Sequence, residues 1–178
     1  NQSRKSLTEE GKEAAIHQVE NTELKDDRVL VIYLPDCHES IAGIIAGRIR
    51  EKYHKPTFVL TKGENSAKGS GRSIEAYSMY EELVRCADLL IQFGGHPMAA
   101  GLSIEEKNIE KFRRRLNQNC SLKEEDLQPK IVIDVPMPIS YITKNLIRQI
   151  ALLEPFGKGN TKPLFAQKGL KVLDAVVV

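Results

Sequence analysis

The chain has 178 residues, of which 41% are hydrophobic and 28% are charged, a composition typical of folded globular proteins. Lysine and arginine number 26 against 24 aspartates and glutamates, which excludes a histone-like protein that binds nucleic acid through bulk positive charge. Three widely spaced cysteines without a C-x-x-C pair favour reduced thiols in a cytoplasmic protein over a disulfide framework or a zinc site. No apolar run approaches the roughly 20 residues that span a bilayer, so we expect no membrane partner.

The first third of the chain alternates between helical and strand patterns. Residues 7–20 are predicted to form a helix, and its thin apolar stripe is typical of a connecting helix. The apolar, β-branched run 29–34 predicts a buried strand, and a second strand is predicted at 57–61. Between these strands, residues 40–53 place apolar residues at the spacing of one helix face: Ile41, Ile44, Ile45 and Ile49.

The same helix carries two glycines four residues apart. Gly43 and Gly47 predict a smooth strip along which another backbone approaches closely.

The middle of the chain is rich in glycine. Residues 62–73 (KGENSAKGSGRS) are interpreted as an irregular loop, because glycines interrupt the segment. A helix is predicted at 78–91, a glycine-rich turn at 93–101, a short strand at 102–104 and a helix at 106–119. This order predicts an α/β fold with a small mixed, partly parallel sheet and flanking helices.

The last third has a different pattern. A polar segment at 120–130 predicts a linker, and the residues beyond it predict elements of a second domain: a strand at 131–133, a helix at 141–153, a tight loop at 154–160, and strands at 164–166 and 170–178. We expect a partial, β-rich segment, and because the chain stops within an apolar strand, we expect an excised piece of a longer protein.

The strongest candidate for chemistry is the segment GSGRS. Glycines allow backbone N–H groups to turn toward one point, and the planar fork of Arg72 suits two phosphate oxygens. Ser70, Gly71 and Ser73 complete this predicted anion-binding loop, which Lys62 and Lys68 flank. The alternative is an ordinary surface loop with incidental basic residues.

A second candidate is the glycine pair before a histidine. Gly94 and Gly95 allow a ligand to approach the backbone beside His96 closely, and the small residues that follow leave no bulk. The alternative is a half-buried histidine satisfied by its neighbours.

A third candidate lies after the first predicted strand. His38 is placed where α/β sheets bind ligands, and Arg48 on the following helix is either a contact or an ion-pair partner. Asp36, His38 and His96 form a poor metal site, because no spacing fixes two of them on one element. The basic run at 111–115 is interpreted as a solvated helix face.

Four strings together resemble one known family. HESIAGIIAGRI at 38–49, KGSGRS at 68–73 and FGGHPMAAGLSI at 93–104 resemble the DHH-associated domain of RecJ exonucleases, and LEPFGKGN at 153–160 resembles the start of their oligonucleotide-binding (OB) fold. The resemblance divides the chain into four parts: a connecting helix from a preceding catalytic domain (1–27), the DHH-associated domain (28–120), a linker (121–130) and a partial OB-fold segment (131–178).

The resemblance implies a function for the parent protein. RecJ enzymes degrade single-stranded DNA from the 5′ end, in DNA repair and recombination, with Mn²⁺ or Mg²⁺ held by an amino-terminal DHH domain. This chain would then bind substrate phosphates through the residues named above, with His38 and Arg48 second, while binding no metal and having no nuclease activity alone. Ser40 stands where the family usually has glycine, and we expect it to serve as a helix N-cap.

Two other functions remain open. One is a nanoRNase or cyclic-dinucleotide phosphodiesterase of the DHH superfamily, although such enzymes end soon after the GGH segment. The other is a stand-alone nucleic-acid-binding module, such as the tail of alanyl-tRNA synthetases, against which the second domain argues.

Overall fold

A computed structural model describes residues 2–157 and 159–176. The chain divides into two compact units, Asn1–Pro129 and Lys130–Val178. None of the described helices has the length and apolarity needed to cross a bilayer.

The first unit is built on a five-stranded sheet. Its strands are β1 (Leu30–Tyr33), β2 (Thr57–Lys62), β3 (Ala67–Arg72), β4 (Leu90–His96) and β5 (Ala99–Ile104). Their spatial order is β1-β2-β3-β5-β4; β1 and β2 pair in parallel, and the other neighbours pair antiparallel. The predicted mixed, partly parallel sheet with flanking helices is therefore confirmed.

Helices pack on both faces of this sheet. Helices α1 (Gln2–Asn21) and α2 (Glu39–Tyr53) share one apolar cluster with β1 and β2, to which β1 contributes Leu30 and Ile32. Helices α3 (Met79–Arg85) and α4 (Ile109–Gln118) share a second cluster on the opposite face, to which β1 contributes Val31. Because successive side chains of a strand point to opposite faces of the sheet, β1 contributes to both clusters.

Three predicted elements are wrong in this unit. The segment read as a loop at 62–73 contains β3, a central strand hydrogen-bonded to β2 and β5. The predicted helix at 78–91 ends at Arg85, and the chain enters β4 at Leu90. The glycine-rich turn at 93–101 is instead the end of β4, a tight connection and the start of β5. In the first and third cases neighbouring strands stabilise an extended backbone that glycine disfavours locally. In the second case the pairing of β4 with β5 extends the chain from Leu90 onward.

The second unit contains few regular secondary-structure elements among its described residues. It contains β6 (Val135–Pro136) paired in parallel with β7 (Phe165–Ala166), and α5 (Lys144–Ala151). The strand predicted at 131–133 does not form, and neither does the strand predicted from 170 as far as residue 176; residues 177–178 lie outside the described part. Its apolar side chains are largely exposed, among them Val132 at 78% and Leu173 at 87%.

Candidate nucleic-acid interface

Three rows of residues cross β3, β5 and β4 on the same face of the sheet. Residues directly opposite each other in antiparallel strands point to one face, so the register defines the rows. They are Arg72–Ala99–His96, Ser70–Gly101–Gly94 and Lys68–Ser103–Gln92. This is also the face on which α2 packs, but α2 contacts β2 and β3 and leaves β5 and β4 open.

Arg72 and His96 lie at the same end of this face. Both pair with Ala99, one from each side, which separates their backbones by two strand spacings, about 10 Å. Arg72 is half-buried and donates from Nη1 to the carbonyl oxygen of Gly71 at 2.7 Å, while His96 is exposed. Within the described part of the chain, Arg72 forms no ion pair with a carboxylate. The guanidinium therefore keeps its charge and most of its N–H donors for a ligand.

The floor beside these two residues carries little side-chain bulk. A groove of about 450 Å³ runs between the start of α2 and the open half of the face, over Ser70, Gly94 and Gly101. A Cβ built on Gly94 would meet nothing within 4 Å, and one on Gly101 would meet only the Gly69 carbonyl oxygen, at 3.7 Å. At the far end Lys68 donates from Nζ to Ser103 Oγ at 3.0 Å. The groove is open, and its lining includes one cation, Lys68, and one anion, Glu39. Arg72 lies outside the lining, one residue row beyond Ser70.

His38 lies beside this groove rather than at its Arg72 end. It is the N-cap of α2: its Nδ1 accepts a hydrogen bond from the Ser40 N–H at 3.2 Å. The cap predicted at Ser40 is therefore wrong by two positions, and the Ser40 hydroxyl instead bonds the His38 ring at 2.9 Å. His38 lines a second, larger depression with Asp36 and Lys62, which meets the first groove at Lys68.

The second depression also contains a thiol. Cys37 lines it beside Asp36, and burial raises the pKa of the Cys37 thiol. A protonated thiol is a poor metal ligand, because the thiolate is the form that coordinates. Across the described residues no three His, Cys, Asp or Glu side chains are grouped to hold a metal ion.

Arg48 points elsewhere. It forms an ion pair with Glu51 at 3.6 Å, and it lies five residues after Gly43, or roughly 140° around an α-helix. Because Gly43 faces Arg72 and Ser70, Arg48 is directed away from the three rows.

The predicted anion-binding loop does not exist as a loop. The backbone groups of β3 are engaged in ladders on both sides, so they cannot converge on an anion. Gly71 faces the other side of the sheet, where a Cβ would lie 2.6 Å from Met79 Sδ. Ser73 is 1% exposed and donates its hydroxyl to the Tyr77 carbonyl oxygen at 2.6 Å, so its side chain is directed into the core.

Gly95 also differs from its predicted role. Its φ of 144° lies in a region that other residues rarely adopt, and a Cβ would lie 2.4 Å from the Ala99 carbonyl oxygen. The pairing of β4 with β5 requires glycine at position 95, whereas the neighbouring Gly94 faces the groove.

Sequence reasoning missed the groove residues Lys68, Gln92 and Ser103 as members of one surface. Their signal is the period-2 alternation across Lys68, Ser70 and Arg72, with the small Gly69 and Gly71 between them. The basic run on α4 is a solvated face only in part. Arg114 is exposed and pairs with Glu110 at 2.8 Å, whereas the Arg113 side chain is 15% exposed and pairs with Asp27.

Comparison with known proteins identifies the domain family to which this five-stranded sheet belongs. Residues 26–122 match the family model of the DHHA1 domain, and residues 133–178 match that of the RecJ OB domain. The chain belongs to the RecJ family of DHHA1-domain proteins. Its RecJ relatives include the single-stranded-DNA-specific exonucleases of Bacillus subtilis, 34% identical over 92% of this chain, and of Escherichia coli, 33% identical over 93%.

Solved RecJ structures share the fold. RecJ of Thermus thermophilus in complex with Mn²⁺ matches with a TM-score of 0.82 and 30% identity over 94% of this chain, and its complex with Mg²⁺ matches with a TM-score of 0.80. The chain spans only 21% of the B. subtilis relative, 30% of the E. coli relative and 24% of the Mn²⁺-bound RecJ chain. Most of a RecJ protein therefore lies outside the residues compared.

Proposed function

We propose that this chain is the substrate-binding part of a RecJ-type 5′-to-3′ single-stranded-DNA exonuclease that acts in DNA repair and recombination in the cytoplasm. The observation that carries the proposal is the row Arg72–Ala99–His96, which runs from the edge of α2 onto the open half of the sheet face, in a chain of the RecJ family. An arginine that has no carboxylate partner among the described residues, two strands away from an exposed histidine, provides donors suited to a DNA phosphate.

The groove fits a single strand held by its backbone. Lys68 supplies positive charge in the groove, Arg72 supplies it one residue row beyond Ser70, and Gly94 and Gly101 add no side chain to the floor. Phosphate contacts position a strand without reading its sequence, so digestion that ignores base identity is consistent with these groups. His38 and Lys62, in the adjoining depression, are candidates for contact with the continuing strand.

The chemistry of bond cleavage belongs, in this proposal, to the DHH domain that precedes this chain in the parent protein. The related T. thermophilus structures contain Mg²⁺ or Mn²⁺, whereas the described residues offer no cluster that fits such an ion. Two such ions would activate the attacking water and stabilise the leaving oxygen.

The separation of the two tasks has a direct test. This chain alone, purified and incubated with single-stranded DNA and Mn²⁺, should leave the DNA intact, because its described residues contain no cluster that could hold the metal ions. Robust digestion that a chelator stops and added Mn²⁺ restores would overturn this division of labour.

The binding role rests on Arg72, and its replacement has a matched control. In the full-length protein without divalent ions, Arg72→Ala should weaken oligonucleotide binding by roughly 2 kcal/mol, since hydrogen bonds to charged groups contribute about 1.5–3 kcal/mol. Arg114→Ala removes the same charge from an exposed site on α4, away from the sheet face, and should leave affinity nearly unchanged.

Salt dependence distinguishes a phosphate contact from a general loss of structure. The slope of log affinity against log salt concentration should become shallower by about 0.7 in Arg72→Ala, the change expected for one phosphate contact on a single strand. An unchanged slope with unchanged affinity would remove Arg72 from the proposed interface.

The OB match favours a RecJ enzyme over its two alternatives. The nanoRNase-type phosphodiesterases end soon after the segment that contains His96, while this chain continues into residues that match the RecJ OB domain. The same continuation disfavours a stand-alone binding module.

A further inference from the structure

The guanidinium of Arg72 is held from two sides. Its Nη1 donates to the Gly71 carbonyl oxygen at 2.7 Å, which anchors one edge of the fork to its own strand. On the other side lies α2, where a Cβ built on Gly43 would stand 2.9 Å from Nη2 and 3.5 Å from Cζ. The planar end of Arg72 therefore lies against the helix at a position where no side chain intervenes.

The backbone conformation at position 43 does not require glycine. It lies inside α2 and does not belong to the glycines with positive φ, so its conformation suits any residue. Glycine within a helix is unfavourable relative to alanine, because the unfolded chain loses more freedom on folding. The close approach of Arg72 is what favours a residue without a side chain at this position.

Gly47, one turn later on the same helix, has no such contact. A Cβ built there would meet nothing within 4 Å. Of the smooth strip predicted from this glycine pair, only Gly43 is closely approached within the described chain, and by the Arg72 and Ser70 side chains rather than by a backbone.

We propose that Gly43 is a positioning residue for Arg72, whose absent side chain sets the direction in which the guanidinium presents its free donors. This inference rests on the proposed role of Arg72 in phosphate binding. A methyl group at Gly43 would move the fork by tenths of an ångström or into another rotamer. Charge-assisted hydrogen bonds weaken as distance and angle depart from their optimum, so the ligand would lose affinity while the fold is kept.

The experiment compares two alanine substitutions on one helix. In the full-length protein without divalent ions, Gly43→Ala should weaken binding of a single-stranded oligonucleotide on the order of tenfold, the loss of part of one charge-assisted hydrogen bond. Gly47→Ala, the matched control, should leave binding unchanged. Urea unfolding should show that neither variant is less stable than the parent, since alanine favours the helix and Arg72 is a flexible neighbour.

Two backgrounds show whether the effect passes through the guanidinium. In Arg72→Ala, adding Gly43→Ala should change affinity by less than about twofold, because coupled residues are not additive. In Arg72→Lys the same addition should also have little effect, because a slender ammonium lacks the fork that the new methyl group would meet. A merely structural role for Gly43 would not produce this pattern.

Each outcome is decisive. If Arg72→Ala weakens binding but Gly43→Ala does not, the positioning role is overturned and the proposed function stands. If Gly43→Ala weakens binding equally in the parent and Arg72→Ala backgrounds, its effect bypasses Arg72 and the inference also fails. If Arg72→Ala itself has no effect, the proposed function falls together with the inference.

Discussion

The two faces of the five-stranded sheet use small residues for opposite purposes. On the face covered by α3 and α4, Gly69 and Gly71 lie under Leu60, Leu102, Phe58 and Met79, whose side chains occupy the space that a Cβ would need. On the open half of the other face, Gly94 and Gly101 meet almost nothing within the chain. Core packing explains Gly69 and Gly71 but does not explain Gly94 and Gly101. The latter two therefore mark the part of the sheet where a ligand can lie against the backbone.

The covered face should respond most strongly to added bulk. Gly71→Ala places a methyl group 2.7 Å from Phe58 Cε1 in a fully packed cluster, and overpacking of this kind costs about 1–3 kcal/mol. Gly101→Ala makes the same change on the adjacent strand, but on the open face, where the nearest atom is 3.7 Å away. Urea unfolding should show a loss for the first variant alone; equal losses would break the comparison between the faces.

Side chains added on the open face should weaken DNA binding without lowering the free energy of unfolding. Gly94→Ala and Gly94→Val raise successively larger side chains from the groove floor, where a Cβ meets no protein atom within 4 Å. Valine should weaken oligonucleotide binding roughly five- to tenfold, about 1–1.4 kcal/mol, and alanine should weaken it less. Unfolding free energy should hold or rise, because valine favours strands. Tight binding by Gly94→Val would show that the strand does not lie on this floor.

The smallest effect concerns a carboxyl group on α3, above the covered face. Glu82 is 8% exposed, its Oε1 accepts from Arg85, and its Oε2 finds no partner among the described residues. Burial raises the pKa of the Glu82 carboxyl above its ordinary 4.5, so the folded state holds this proton more tightly than the unfolded chain. Its contribution to stability is therefore present below 4.5 and lost as the pH rises through the folded pKa.

Glu82→Gln should flatten that part of the pH profile. Unfolding free energy, measured as the pH rises from 4.5 toward neutrality, should fall less in this variant than in the parent protein. A profile identical in Glu82→Gln and the parent would show that the buried carboxyl does not titrate in this range.

The sequence predicted the layered fold better than the local course of its glycine segments. Long apolar runs and a regular isoleucine spacing identified β1, β2 and α2, because those elements bury large side chains. Strand β3 was missed because Gly69 and Gly71 contribute no hydrophobic signal of their own. Their space is filled by side chains from other elements, a tertiary effect that no local window contains.

The candidate site shows the same limit. Arg72 and His96 could be singled out by residue type, but their shared row depends on the pairing of both strands with Ala99. Ser73 and Gly71 could not be separated from Ser70 and Arg72 by sequence while the segment was interpreted as a loop. Once it is a strand, alternation assigns them to different surroundings.

Site-specific photo-crosslinking of the full-length protein to a single-stranded oligonucleotide tests the location of the DNA most directly. A photoreactive phenylalanine derivative at Gln92, on the open face, should crosslink to the strand, and the same residue at Glu81, exposed on α3 beyond the covered face, should not. Crosslinks from position 81 with none from position 92 would contradict the assignment of DNA binding to the open face.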